Sequence, residues 1–182
     1  MVYECGDDFT FVARIQGDTA WTFLPGRTVA LLHVPTGSGA RYERDDITLW
    51  TKGEEAVLQH GDAADRECVN NRRSATWEHA KLNGADFRAV GNEPGWYLVI
   101  YPERIVLVAD YGAATYEFET PEPTSDPTAA QTTYRTANDS HGLTLVIEGR
   151  RCMDTMSDEE FEVTVTVTLD DNTYRGCGRP LH

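Results

Sequence analysis

The chain has 182 residues, 40% of them hydrophobic and 10% aromatic, which is enough for one large domain or two small ones with a packed core. Sixteen basic residues against thirty acidic ones give a formal net charge of −14, which repels phosphate backbones and anionic lipid, excludes nucleic acid as a partner and favours a cationic one. No stretch approaches the roughly 20 apolar residues of a helical membrane span, and none has the basic, apolar and small-residue succession of a signal peptide.

From Tyr3 to Leu58 short apolar runs alternate with turn signals: FTFVARI, AWTFLPG, VALLHV, PTGSG, DDITLW and EEAVL. These read as strands of about five or six residues, and their regular turn spacing predicts a small antiparallel barrel or sandwich. Polar composition over NNRRSATWEHAKLNGAD marks a boundary, with one or two helical turns in ATWEHAKL. Beyond it, GNEPGWYLVIYPERIVLVADYGAATYEFE reads as a β-meander. PEPTSDPTAAQTT is expected as an exposed loop, because its prolines deny a ladder its donors. In FEVTVTVTL the residues Phe161, Val163, Val165, Val167 and Leu169 alternate with Glu162, Thr164, Thr166 and Thr168, so one face is core and the other wet. The fold expected is all-β: a barrel of about eight strands over residues 1–72, a linker over 73–86 and a second antiparallel β domain over 87–182.

Cys5, Cys68, Cys152 and Cys177 lie too far apart for a CxxC motif. Three disulfide pairings are open to four cysteines, and Cys5 with Cys68 and Cys152 with Cys177 is the one that keeps each bridge inside a β-rich block. Such bridges persist in oxidising compartments, whereas four buried free thiols would place the chain in the cytosol. Met1 directly before VYEC suggests a chain trimmed of its export signal, and of any lipid anchor with it.

Gly37 and Gly39 flank Ser38, and both are expected to permit positive φ or a close approach, so that a serine is displayed on a tight bend. Lys52, between Trp50 and Gly53, offers a flexible cation on a second bend. The SGARY run at Ser38 to Tyr42 and the WTKGEEAVL run at Trp50 to Leu58 resemble the membrane-bound and periplasmic inhibitors of c-type lysozyme, over about residues 3 to 72. The resemblance implies an eight-stranded barrel closed by a Cys5–Cys68 bridge, and lysozyme binding through Ser38, Gly39, Tyr42 and Lys52. Ser38 would hydrogen-bond one catalytic carboxylate and Lys52 would pair with the other. Tyr42 would brace the loop, its ring packed and its hydroxyl tied to backbone. Arg41 is an additional contact that no motif requires.

This reading makes the protein a non-enzymatic inhibitor without cofactor or metal. Its partner would be a basic c-type lysozyme, and its place the periplasm or an outer-membrane anchor facing it. The alternative is an envelope binding module that holds a cell-wall fragment or small ligand, with Trp21, Trp50, Trp77 and Trp96 as stacking surfaces. Catalysis finds no support, since His33, His60, His79, His141 and His182 are scattered and sit in no hydrolase or zinc motif.

In the second half, GNEPGWYLVI, RCMDTMSDEEFEVTVTVTL and YRGCGRP resemble uncharacterised bacterial envelope proteins, a likeness that implies no activity. Glu93, Pro94 and Trp96 read as a structural plug at a barrel mouth rather than a ligand corner. The acidic run from Asp154 to Glu160 lacks EF-hand spacing and glycine and reads as a solvated loop.

Overall fold

Short apolar runs separated by turns let strands wrap a core, and the first half of the chain does this with eight of them. The computed structural model describes residues 1–6, 8–61 and 63–182, and the chain divides into two units, Met1–His79 and Ala80–His182. The first unit holds β1 (Val2–Cys5), β2 (Thr10–Gln16), β3 (Thr19–Leu24), β4 (Arg27–Val34), β5 (Ala40–Arg44), β6 (Ile47–Lys52), β7 (Glu55–His60) and β8 (Arg66–Asn70). Each pairs antiparallel with the next, and β8 returns to β1 to close a barrel. Closure removes both sheet edges, so no row of backbone donors is left open to another chain.

Tyr3, Phe11, Leu31, Leu49 and Leu58 fill the barrel and are fully buried, each contributing about 1.5–3 kcal/mol of apolar burial. Tyr3 stacks on Phe11 with ring centroids 5.1 Å apart. Burial, with the Glu54 carboxylate and the Tyr42 hydroxyl nearby, pushes the Tyr3 phenol up to about 12. Cys5 and Cys68 face each other in the β1–β8 ladder and are bridged, so the expected disulfide fastens the strand pair that closes the barrel.

The predicted linker contains a longer helix than expected, α1 (Arg72–Leu82), of 11 residues. Asn71 caps it: its side-chain oxygen accepts from the Ser74 amide at 3.0 Å. Gly84, at φ +79°, ends it, with the Gly84 amide donating to Lys81 and the Ala85 amide to Ala80 in a Schellman arrangement. The division between the two units falls inside this helix.

The second unit comprises β9 (Phe87–Asn92), β10 (Gly95–Ile100), β11 (Arg104–Ala109), β12 (Ala114–Glu119), β13 (Thr124–Asp126), β14 (Gln131–Ala137), β15 (Gly142–Glu148), β16 (Cys152–Met153), β17 (Glu160–Phe161), β18 (Val163–Leu169) and β19 (Asn172–Pro180). Nine of these form one antiparallel sheet in the order β12-β11-β10-β9-β19-β18-β15-β14-β13, and β16 pairs with β17 in a separate ribbon. The sheet curls on itself. Thr136 at the end of β14 donates its hydroxyl to the Glu119 carbonyl of β12 at 3.0 Å, and Asn138 donates its amide to that of Glu117 at 3.0 Å.

Leu98, Ile105, Leu107, Leu145, Val165 and Val167 form the heart of this core. The predicted alternation holds, but Phe161 belongs to β17 rather than β18, because it pairs with Cys152. A short strand, β13, interrupts the loop expected over PEPTSDPTAAQTT. Its three residues lie between Pro123 and Pro127 at the sheet edge, where missing proline donors are harmless. Trp96 is a packed core residue, its indole N–H directed at the Arg175 carbonyl at 3.3 Å and its ring against Gly91 and Gly176. Cys152 and Cys177 form the second disulfide.

The acidic run is more engaged than a solvated loop. Asp154 accepts from the Asn92 side chain at 2.6 Å, Glu160 pairs with Arg151 at 2.6 Å and Glu159 with Arg179 at 3.4 Å.

Candidate functional site

A two-residue turn at Asp45 and Asp46 joins β5 to β6 and fixes their register, with Tyr42 opposite Leu49 and Ala40 opposite Thr51. The consequence is spatial. Residues 35–39, which lead into β5, and the turn at Gly53 and Glu54, which follows β6, are brought to the same end of the barrel, Ser38 on the first and Lys52 at the base of the second.

Gly39 shows how closely they meet. Its φ is +69°, and a Cβ built on it would lie 2.3 Å from the Thr51 carbonyl oxygen, 3.1 Å from Trp50 Nε1 and 3.3 Å from Lys52 Cβ. Both reasons for a glycine expected from the sequence therefore apply at position 39. Neither applies at Gly37, which has ordinary φ and open space where a Cβ would go. The bend is held by side chains rather than by a ladder. Trp50 Nε1 donates to the Ser38 carbonyl at 2.9 Å, the Thr36 hydroxyl donates to the same carbonyl at 3.4 Å, and the Thr51 hydroxyl donates to that of Ala40 at 3.4 Å.

Ser38 and Lys52 both face solvent. Glu54, two residues beyond Lys52, is drawn away from it. Its carboxylate accepts from the Arg72 guanidinium and from Asn70 Nδ2 at 2.9 Å, and these bonds, Arg72 first, hold its pKa down at about 2. Glu55 sits opposite Lys52 in the β6–β7 ladder. Even so, the Lys52 ammonium has no ion-pair partner among the described residues. An exposed hydroxyl and an exposed, uncompensated ammonium thus project from adjoining turns, a pair suited to two acceptors or anions in a recess.

Tyr42 is only 5% exposed, its ring in the barrel core and edge-on to His33 at 5.5 Å. The expected tie from its hydroxyl to backbone is absent among the described residues, so whatever support it gives the loop comes from the packed ring. Arg41 is engaged by Glu43 on the outer face. Trp50, which the sequence offers as a stacking surface or, by default, a core residue, is neither buried nor free: it is 40% exposed and its indole N–H is spent on the Ser38 carbonyl, and its place in the WTKG run is its one sequence signal. Of the other tryptophans, Trp77 and Trp96 are buried and Trp21 is 44% exposed. No cluster of three or more His, Cys, Asp or Glu side chains is placed to hold a metal ion among the described residues.

Residues 3–67 match the family model described as membrane-bound lysozyme-inhibitor of c-type lysozyme. The matched stretch lies within the first unit and includes the Ser38 bend, Tyr42 and the Lys52 turn. The family is one of inhibitors rather than catalysts. No curated protein and no solved structure matches the chain.

Proposed function

We propose that the first unit inhibits c-type lysozyme by setting Ser38 and Lys52 into the catalytic cleft. The observation that carries this reading is the convergence of the two turns at one barrel end, with Gly39 pressed on β6 and the Lys52 ammonium without an ion-pair partner among the described residues. Lysozyme of this type cleaves glycosidic bonds with two cleft carboxyls, one kept protonated as general acid and one ionised. A hydroxyl can donate to either, and an ammonium answers the ionised one. Charge-assisted hydrogen bonds in a cleft that loses its water are about twice as strong as neutral ones.

Pre-organisation supports the same reading. The close approach of Gly39 to β6 and the hydrogen bonds of Trp50 and Thr36 to the Ser38 carbonyl restrain the bend before binding, so less ordering entropy remains to be lost. The net charge of −14 would steer the protein onto a basic lysozyme. The two disulfides fit an oxidising compartment, in keeping with the bacterial envelope and an anchor or periplasmic location.

The test is lysis of a cell-wall suspension by hen egg-white lysozyme at graded concentrations of the protein. Inhibition is expected, with Ser38→Ala and Lys52→Ala each raising the inhibition constant by roughly 10- to 100-fold. A protein that leaves lysis untouched at micromolar concentration refutes the activity. Variants as potent as the parent refute the mechanism.

A further inference from the structure

We propose that Trp50 is a positioning residue for the Ser38 bend, its indole N–H fixing the direction in which the Ser38 side chain is presented. The inference rests on the inhibitory reading of that bend and adds the device that keeps it in place.

Trp50 lies on the outward face of β6, opposite Arg41 on β5 and Val57 on β7, and 40% of it is exposed. A large ring left this open on a barrel surface contributes little to the core. What it does contribute is its nitrogen. Nε1 donates to the Ser38 carbonyl at 2.9 Å, whereas the competing Thr36 hydroxyl stands at 3.4 Å, near the limit for a hydrogen bond. Residues 35–39 belong to no strand, so this contact replaces the ladder that elsewhere sets backbone direction.

Fixing the Ser38 carbonyl fixes its peptide plane, and with the next residue locked at φ +69° the Cα–Cβ bond of Ser38 has little freedom left. The same indole nitrogen is 3.1 Å from where a Cβ on Gly39 would be. Tryptophan suits the task because a rigid ring with two side-chain torsions holds the donor at low entropic cost. Phenylalanine would keep the ring and its strand-face packing but lose the donor.

The experiment compares wild type, Trp50→Phe, Ser38→Ala and the double variant in two measurements. The first is backbone 15N relaxation of Ser38 and Gly39 in the free protein. Both residues are expected to be ordered in the wild type and to gain fast motion in Trp50→Phe, with the melting temperature unchanged. Unaltered relaxation overturns the proposal whatever happens with lysozyme. The second is the inhibition constant against hen egg-white lysozyme. Trp50→Phe is expected to raise it roughly tenfold and to add nothing in the Ser38→Ala background, since Trp50 acts through Ser38. Additive losses would mean that the indole touches the enzyme directly, which also overturns positioning. If Trp50→Phe loosens the bend but no variant alters lysis, the positioning role stands and the inhibitory reading falls.

Discussion

Replacing Gly39 by alanine tests the site more sharply than removing its functional groups, because the lesion is steric and its size can be worked out. The new Cβ would stand 2.3 Å from the Thr51 carbonyl oxygen, where real Cβ contacts are essentially never under 3.0 Å. The separation must grow by at least 0.7 Å (3.0 − 2.3). Thr51 is held in the β5–β6 ladder opposite Ala40, so the bend gives way rather than the strand. A shift of that size along the Trp50–Ser38 hydrogen bond would stretch it from 2.9 to 3.6 Å (2.9 + 0.7), beyond bonding range. The positive φ adds a strain of about 1–2 kcal/mol for a residue with a side chain. If the displaced Ser38 loses one charge-assisted contact in the cleft, about 1.5–3 kcal/mol of binding goes with it, or roughly 10- to 150-fold in the inhibition constant. The same lysis assay reads the potency, and thermal melting is expected to show an intact barrel. Gly37→Ala is the control, with open space and ordinary φ; its inhibition constant is expected within about twofold of wild type. A fully potent Gly39→Ala protein, or a Gly37→Ala protein damaged as badly, refutes the reasoning.

Three other outcomes follow from the same structure. The two bridges close loops of unequal length, with partners 63 and 25 residues apart; on chain entropy, paired Cys→Ser replacement is expected to cost about 4 kcal/mol at Cys5–Cys68 and about 3.5 kcal/mol at Cys152–Cys177, checked by urea denaturation of each variant. The Glu54 carboxyl, lowered from an ordinary 4.5 to about 2, contributes stability that is fully present above pH 4.5 and lost as pH falls toward 2. Glu54→Gln should therefore flatten the acid limb of the stability curve in that window, and an unchanged slope would show that the Arg72 contact does not persist in solution. Finally, association with a basic lysozyme should be steered by the charge of −14; raising salt from about 20 to about 300 mM is expected to slow the on-rate in stopped flow by roughly tenfold, and a flat salt profile would remove steering from the account.

What could be read from the sequence was whatever repeats along the chain. Alternation in Val163 to Leu169 names the buried face outright, because a strand's period of two needs no knowledge of its neighbours. The cysteines could be paired because each sits near the edge of its own β-rich block. Where the reading fell short, the deciding partner lay outside the segment. ATWEHAKL looked like a turn or two of helix until Asn71, upstream of it, supplied the cap. Thr124–Asp126 looked like loop because the prolines around it were counted without knowing that the strand lies at an edge. The site shows the same limit at finer grain. Gly37 and Gly39 flank Ser38 symmetrically and are equivalent in the sequence. They part only when Ala40 falls opposite Thr51, which places a carbonyl beneath one glycine and nothing beneath the other. That register also carries the Trp50 indole to the Ser38 carbonyl, 12 residues away in sequence. A slip of one residue between β5 and β6 would keep every residue of the SGARY and WTKG runs, yet turn Tyr42 out of the core and move the bend off Trp50. The runs name the parts of the proposed site, but the pairing of two strands decides whether they meet.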